Sequence, residues 1–249
     1  MLKKRIIPVE LLRNGRLVKT VKFDEFRDVG DPVKSSQVYS DQDADELILL
    51  NITQNIIETA KFLEEITKKC FMPIAAGGGI TTIKDAQILF KHGADKVIVN
   101  TAAYSDLPLL IAIIDRWGSQ SLIVSIDVSQ LPDMQYITKS ECGKKNEKID
   151  LIQHVKLMSD IGVGEIMINS IDNDGVMNGY DLILIKKILS ICKTPLIVCG
   201  GAGSFTDLKE VFELGVSAAA CGSLFNFGDN NPLRAKAFLK NYNIPLKKI

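Results

Sequence analysis

The sequence predicts an α/β fold, a closed (β/α)₈ barrel, and three observations carry that prediction. Short apolar, β-branched runs alternate with helical patterns eight times along the chain. The length of 249 residues is close to the ~250 that such a barrel takes. A glycine-rich segment after the third apolar run, Ala76-Gly77-Gly78-Gly79-Ile80, recurs after the seventh as Cys199-Gly200-Gly201-Ala202-Gly203. One barrel over residues 1–249 accounts for all three, built from half-barrels of about 1–120 and 121–249.

The expected strands are Ile6–Leu11, Glu46–Leu50, Met72–Ala76, Lys96–Val99, Leu122–Asp127, Glu165–Asn169, Leu196–Cys199 and Ser217–Cys221. They read as unbroken hydrophobic runs, which suits parallel strands covered on both faces. Helical periodicity falls on Asn55–Cys70, Thr82–His92, Leu107–Trp117, Asp150–Ile161, Tyr180–Ile191 and Thr206–Leu214. Two connections, Leu12–Asp31 and Val128–Glu147, exceed ordinary βα loops and follow strands, so they are expected as long loops over the catalytic face. Trp117 is expected to serve packing.

The two halves match beyond the glycines. His92-Gly93-Ala94-Asp95-Lys96 corresponds to Leu214-Gly215-Val216-Ser217-Ala218, and Val99-Asn100-Thr101-Ala102 to Cys221-Gly222-Ser223-Leu224. Glycine lets the backbone approach an oxyanion closely. Amide groups at the start of the following helix would then point at phosphate, helped by the helix dipole. Gly78 and Gly79 with Asn100 and Thr101 make one expected phosphate site. Gly200 and Gly201 with Gly222 and Ser223 make the other, after strands seven and eight. Tight turns and packing alone are the competing reading. Two such sites on one barrel mouth imply a long ligand with a phosphate at each end.

Thirty basic and thirty acidic residues cancel, so no basic stripe points to nucleic acid or a membrane surface. No apolar stretch approaches the ~20 residues of a membrane helix. The start, Met1-Leu2-Lys3-Lys4-Arg5, soon meets Glu10 and Arg13 and does not read as a signal peptide. Five scattered cysteines without a CxxC pair suit small buried side chains in a reducing cytoplasm. The two histidines, His92 and His154, both lie in helical patterns, so no metal site is expected, and no cofactor.

Lys4-Arg5-Ile6-Ile7-Pro8, Gly30-Asp31-Pro32, Asp45-Glu46-Leu47, the two glycine loops, Gly93-Ala94-Asp95-Lys96-Val97, Asn100-Thr101-Ala102, Gly118-Ser119-Gln120, Ile126-Asp127, Gly143-Lys144-Lys145-Asn146 and Asp172-Asn173-Asp174-Gly175 resemble the cyclase subunit family of imidazole glycerol phosphate synthase. The similarity runs nearly end to end. It implies a glutaminase partner docked on the N-terminal face, whose ammonia crosses the barrel to a phosphorylated substrate. It implies general acid and base aspartates at the ends of strands one and five, and Asp127 matches the second. It further implies an ammonia gate at Arg5, Glu46, Lys96 and Glu165, a partner contact at Asp95, and substrate contacts at Lys19, Asn169, Asp174 and Gly175. A generic surface cluster is the competing reading of the four gate charges, and a solvated loop lysine that of Lys19. Asp174 is expected to end strand six and shape its loop, with Gly175 offering an amide to the second phosphate. Lys144 and Lys145 either close over a phosphate or only add surface charge.

The strand-one aspartate is absent. Where the family runs Cys-Leu-Asp-Val after the proline, this chain has Val9-Glu10-Leu11-Leu12, and Leu11 takes the catalytic place. Glu10 is one residue away and on a strand faces the other side. Asn51 stands for a usual aspartate and Asn169 for a usual threonine, which reads as three changes around one pocket. An intact gate beside an altered acid–base pair resembles a divergent branch that works with a sugar amidotransferase, converting an acetamido group of a surface-polysaccharide sugar to an acetamidino group. The stretch from Pro8 to Gly15, with Leu17–Phe23 and Val29–Pro32, carries that resemblance. The standard histidine-pathway cyclase and a non-catalytic scaffold that activates a glutaminase stand as alternatives.

Overall fold

The computed structural model describes residues 3–247; Met1 and Leu2, part of the start read above for a leader, lie outside them. The chain opens with three strands and a helix: β1 (Arg5–Arg13), β2 (Arg16–Val21), β3 (Asp24–Gly30) and α1 (Pro32–Asp41). Then come β4 (Leu47–Asn51), α2 (Ile56–Thr67), β5 (Ile74–Gly77), α3 (Ile83–Lys91), β6 (Lys96–Val99), α4 (Ala102–Ser105) and α5 (Leu107–Trp117). Next are β7 (Leu122–Gln130), β8 (Tyr136–Ser140), β9 (Lys145–Asn146), α6 (Leu151–Ile161), β10 (Glu165–Ser170) and α7 (Leu182–Leu189). The chain ends with β11 (Leu196–Cys199), α8 (Phe205–Leu214), β12 (Ala218–Cys221), α9 (Ser223–Asn226) and α10 (Pro232–Lys240).

Eight strands pair in the order β10-β11-β12-β1-β4-β5-β6-β7, and β7 pairs back with β10, so the sheet closes. Every pairing around the ring is parallel. The fold is a (β/α)₈ TIM barrel. Side-chain alternation divides the core in two. Ile7, Val9, Ile48, Ala75, Ile98, Ile123, Met167, Ile197, Ala218 and Ala220 fill the barrel axis, and the larger cluster lies between strands and helices.

The two long connections are strands rather than loops. β1 runs on to Arg13 and pairs antiparallel with β2, which pairs with β3. β7 likewise runs on to Gln130 and pairs antiparallel with β8, and β8 with β9. Their backbone groups stay in ladders above the barrel, which rigidifies what looked like free loops.

The starts of the longer helices are capped by side chains. Thr82 and Asp85 form a capping box on α3, and Ser204 and Asp207 form its equivalent on α8. Each cap is worth ~1 kcal/mol. α10 is tied to the barrel floor by Lys236, whose fully buried amine contacts Asp43 Oδ2 and Asp45 Oδ1, both at 2.8 Å. Asp45 Oδ2 accepts from the Ile6 amide at the foot of β1, at 2.8 Å. The cysteines are free; Cys70 and Cys221 are buried, but Cys142, Cys192 and Cys199 are only half-buried. Trp117 packs on Phe90, with ring centroids 4.6 Å apart. No helix among the described residues is long and apolar enough to cross a membrane.

Candidate active site

The mouth is set by where the strands end. Asp127 on β7 and Asn169 on β10 are register partners, so their side chains emerge together on the axis side. Asn169 Nδ2 donates to Asp127 Oδ1 at 3.4 Å, and Ser125 Oγ donates to the same oxygen at 3.4 Å. Burial pushes the Asp127 carboxyl up to about 7; the bonds from Asn169 and Ser125 pull it back, and the charge of Asp174 adds to the rise. A carboxyl that is half-protonated near neutrality suits both giving and taking a proton.

Leu11 and Leu50 are register partners on β1 and β4 and cap the axial apolar cluster. The mouth therefore carries Asp127 on one side and an apolar wall of Leu11 and Leu50 on the other, with the Asp174 carboxylate near enough to act on Asp127 through its charge. Glu10 turns outward, where it is buried and accepts from Ser36 Oγ of α1 at 2.8 Å. Asn51 does not belong to this pocket. Its side chain turns toward the start of α2, donating to Asn55 O and Glu58 Oε2 and accepting from Thr53. Two of the three sequence changes, at Leu11 and Asn169, thus share the mouth.

The glycine loops are shaped first by packing. A Cβ on Gly78 would lie 2.1 Å from Asn51 O, and one on Gly201 would lie 2.1 Å from Gly179 O. Both residues also have positive φ, so no other residue fits. Gly79 and Gly200 are crowded in the same way, by Gln54 O and Ser170 O. Some of the amides leading into α3 and α8 are already engaged: Asp85 accepts from Thr81 and Thr82, and Asp207 from Gly203 and Ser204. The amides of Thr81, Thr82, Gly203 and Ser204 are thus held by side chains of their own helices. Uncapped starts occur instead at the short α4 after Thr101 and α9 after Gly222. The Asn100 amide is already spent on Ser125 O and Lys139 O, and Thr101 Oγ1 accepts from the Glu141 amide.

Lys19 is not a solvated loop residue. It sits on β2, 5% exposed, with its amine between Asp174 Oδ1 (3.9 Å) and Gly222, where a Cβ would lie 2.1 Å from Nζ. Ser223 Oγ is buried beside it without a partner. Lys19, Gly175, Gly200, Gly201, Gly222 and Ser223 line one small cavity. Asp174 does not end a strand, because β10 stops at Ser170. It ties the β2 extension across the mouth, accepting from Thr20 Oγ1 at 2.6 Å through its side chain and from Lys22 N at 2.9 Å through its carbonyl. Lys144 and Lys145 lie exposed on the far hairpin, where Lys145 pairs with Glu147 at 2.9 Å. A larger cavity of about 420 Å³ lies between the segment after β6 and α6, lined by Tyr104, Leu107, Lys145, Glu147, His154 and Leu157.

At the opposite face, Arg5, Glu46, Lys96 and Glu165 converge on the axis. Arg5 pairs with Glu46 at 2.6 Å and with Glu165 at 2.5 Å; Lys96 pairs with Glu46 at 2.9 Å and with Glu165 at 2.6 Å. Charges alternate around this closed ring and cancel within it. Arg5 and Lys96 hold the Glu165 carboxyl below its ordinary range, against the desolvation that raises it. Asp95 stands exposed at the foot of the neighbouring strand and accepts from the Ile74 amide at 2.8 Å.

Residues 5–231 match the family described as histidine biosynthesis protein. The chain is 43% identical over 231 residues to "Putative imidazole glycerol phosphate synthase subunit hisF2" of Pseudomonas aeruginosa, covering 91% of this chain and 92% of that one. It is 40% identical to "Putative imidazole glycerol phosphate synthase subunit hisF3" of Vibrio vulnificus, over all of this chain and 96% of that protein. It is 38% identical to the imidazole glycerol phosphate synthase subunit HisF of Chloroherpeton thalassium, over 99% and 100%. The chain belongs to the HisF family. Within this HisF-family barrel, sequence reading missed Ser125 and Leu50 at the mouth. The signal was available: each lies two residues from a named position, or opposite one, on a strand whose side chains alternate.

Proposed function

We propose that this chain takes ammonia from a partner glutaminase on the N-terminal face and uses it to form a C–N bond at the mouth. In this reading ammonia passes the charged ring and travels the apolar axis, where neutral ammonia is favoured over ammonium. Asp127 serves proton transfer. The glycine loops, α4 and α9 hold the phosphate ends of the substrate. We further propose that the product feeds amidination of a surface-polysaccharide sugar, with a sugar amidotransferase as a third component. The observation that carries this is Leu11 facing the axis where an acidic partner for Asp127 would be needed.

The test is turnover of the bis-phosphorylated histidine-pathway intermediate by purified protein with an ammonium salt. Negligible turnover is expected. Turnover at the rate of an ordinary cyclase would overturn the amidination reading and establish the standard cyclase, which the HisF relatives' names support equally.

Two further outcomes follow from the geometry. Lys19→Met removes the one side-chain cation in the second phosphate seat. It should weaken binding of a phosphorylated ligand about 10–100-fold, the worth of a charge-assisted hydrogen bond, measured by calorimetric titration. Unchanged affinity would return Lys19 to a structural role. Arg5→Ala opens the ring and leaves Glu46 and Glu165 sharing Lys96. Product formed per glutamine hydrolysed should fall about fivefold, the size of a ~1 kcal/mol ion-pair loss, while ammonium-driven synthesis holds. Equal losses by both routes would mean that the ring only supports the fold.

A further inference from the structure

Three buried polar groups meet at the mouth with a geometry that the reaction scheme leaves unexplained. Asp127 Oδ1 receives two donors, Ser125 Oγ and Asn169 Nδ2, each at 3.4 Å. No protein hydrogen bond reaches Oδ2 among the described residues. Ser125 lies two residues before Asp127 on β7, so both side chains project from the same face of the strand. Asn169 comes from the adjacent strand in direct register. The two donors thus hold one carboxyl oxygen from two independent strands.

Asn169 is the informative member. Its own Oδ1 is buried and unpartnered, 3.3 Å from where a Cβ on Gly200 would stand. An unpaired buried acceptor costs roughly 1–3 kcal/mol, so an amide kept only for packing would be a poor choice there. The Asp127 contact is the one side-chain hydrogen bond it makes, and it fixes the amide orientation, since the reversed amide would set oxygen against oxygen. The Ser125 backbone is itself anchored, because its carbonyl accepts from Asn100 Nδ2 at 3.0 Å. Both donors are therefore held by the strands rather than by solvent.

We propose that Ser125 and Asn169 are positioning residues that grip Asp127 by Oδ1 and leave Oδ2 as the atom that exchanges a proton with substrate. The inference rests on Asp127 being the proton-transfer group. With an apolar wall of Leu11 and Leu50 on the opposite side, orienting this group falls to its two hydrogen-bond donors, which also oppose the rise that burial and the charge of Asp174 impose. Donors to a carboxylate favour the ionised form, so the grip also counters the burial that raises Asp127.

The test is the titration of Asp127 followed by ¹³C carboxyl NMR in the intact chain, which needs no substrate. Ser125→Ala and Asn169→Leu should each move the midpoint upward from about 7 by about one pH unit. The double variant should move it furthest, and Ser125→Thr, which restores a hydroxyl, should return it. In the complex, the pH–rate profile should shift by the same amount. A midpoint that stays in place in both single variants, with native melting temperatures, would overturn the grip. So would a fall in rate without any shift of the titration. If the midpoint moves but Asp127→Asn keeps full activity, the grip stands as a structural fact and the catalytic reading of Asp127 fails, so the two failures are distinguishable.

Discussion

Asp127→Asn is expected to lower ammonia-dependent product formation by about 10²–10⁴-fold, the usual worth of one general acid–base group. The substitution is nearly isosteric and keeps an acceptor for Ser125 and Asn169, so the mouth should retain its shape. The amide cannot carry a proton between substrate atoms, and the Asp174 carboxylate across the mouth is engaged by Thr20 and Lys19. Glu10 lies on the far side of β1 against Ser36, and Leu11 and Leu50 wall the opposite edge. Single-turnover product formation from an ammonium salt is the direct measurement, with glutamine hydrolysis by the partner followed in parallel. Loss of product with hydrolysis intact assigns chemistry to this barrel. Loss of neither would support the scaffold reading instead.

The pH dependence adds a second check on the same group. With the carboxyl near 7, the enzyme passes between protonated and ionised Asp127 across the neutral range. A rate carried by the base form rises through pH 7, and one carried by the acid form falls through it. Either profile should vanish in Asp127→Asn. A profile that survives would belong to another group.

Much of this site was legible because strand periodicity is strict. Arg5, Ile7, Val9 and Leu11 alternate inward along β1, and the same alternation sets Asp127 and Asn169 at the mouth. The capping at the two helix starts after the glycine loops has a local cause. Thr82-Ile83-Lys84-Asp85 and Ser204-Phe205-Thr206-Asp207 are capping boxes, and their aspartates take the amides of Thr81, Thr82, Gly203 and Ser204. The first hairpin was hidden because β3 is mostly exposed, so its polar run looks like loop. Lys19 could not be placed from sequence, since its burial depends on β2 folding back over β1 and on Asp174 reaching across the mouth to Thr20.

Glu10→Gln should stabilise the fold at neutral and alkaline pH, and the gain should disappear in acid. Burial pushes the Glu10 carboxyl up to about 8 from an ordinary 4.5, only partly offset by the Ser36 hydrogen bond, with the charge of Asp31 adding to the rise. The folded state therefore holds a proton that the unfolded chain has released. Stability from the protonated carboxyl is fully present below about pH 4.5 and is lost progressively as pH rises through 8. At pH 7 the gap is on the order of 3 kcal/mol at 1.36 kcal/mol per pH unit. Gln keeps the acceptor for Ser36 and cannot ionise, so the variant escapes this loss. Oε1 has no partner in the native protein, and the corresponding amide group would have none either, so the two proteins should be comparable near pH 4.5. Thermal unfolding from pH 4.5 to 9 checks it: the melting temperatures should diverge by about 6–12 °C at pH 7, at ~2–4 °C per kcal/mol for a domain of this size. Parallel curves across that range would mean that Glu10 is charged in the folded state. The gap between β1 and α1 would then have to admit water, and the apolar backing of Leu11 would be less complete than the packing around it indicates.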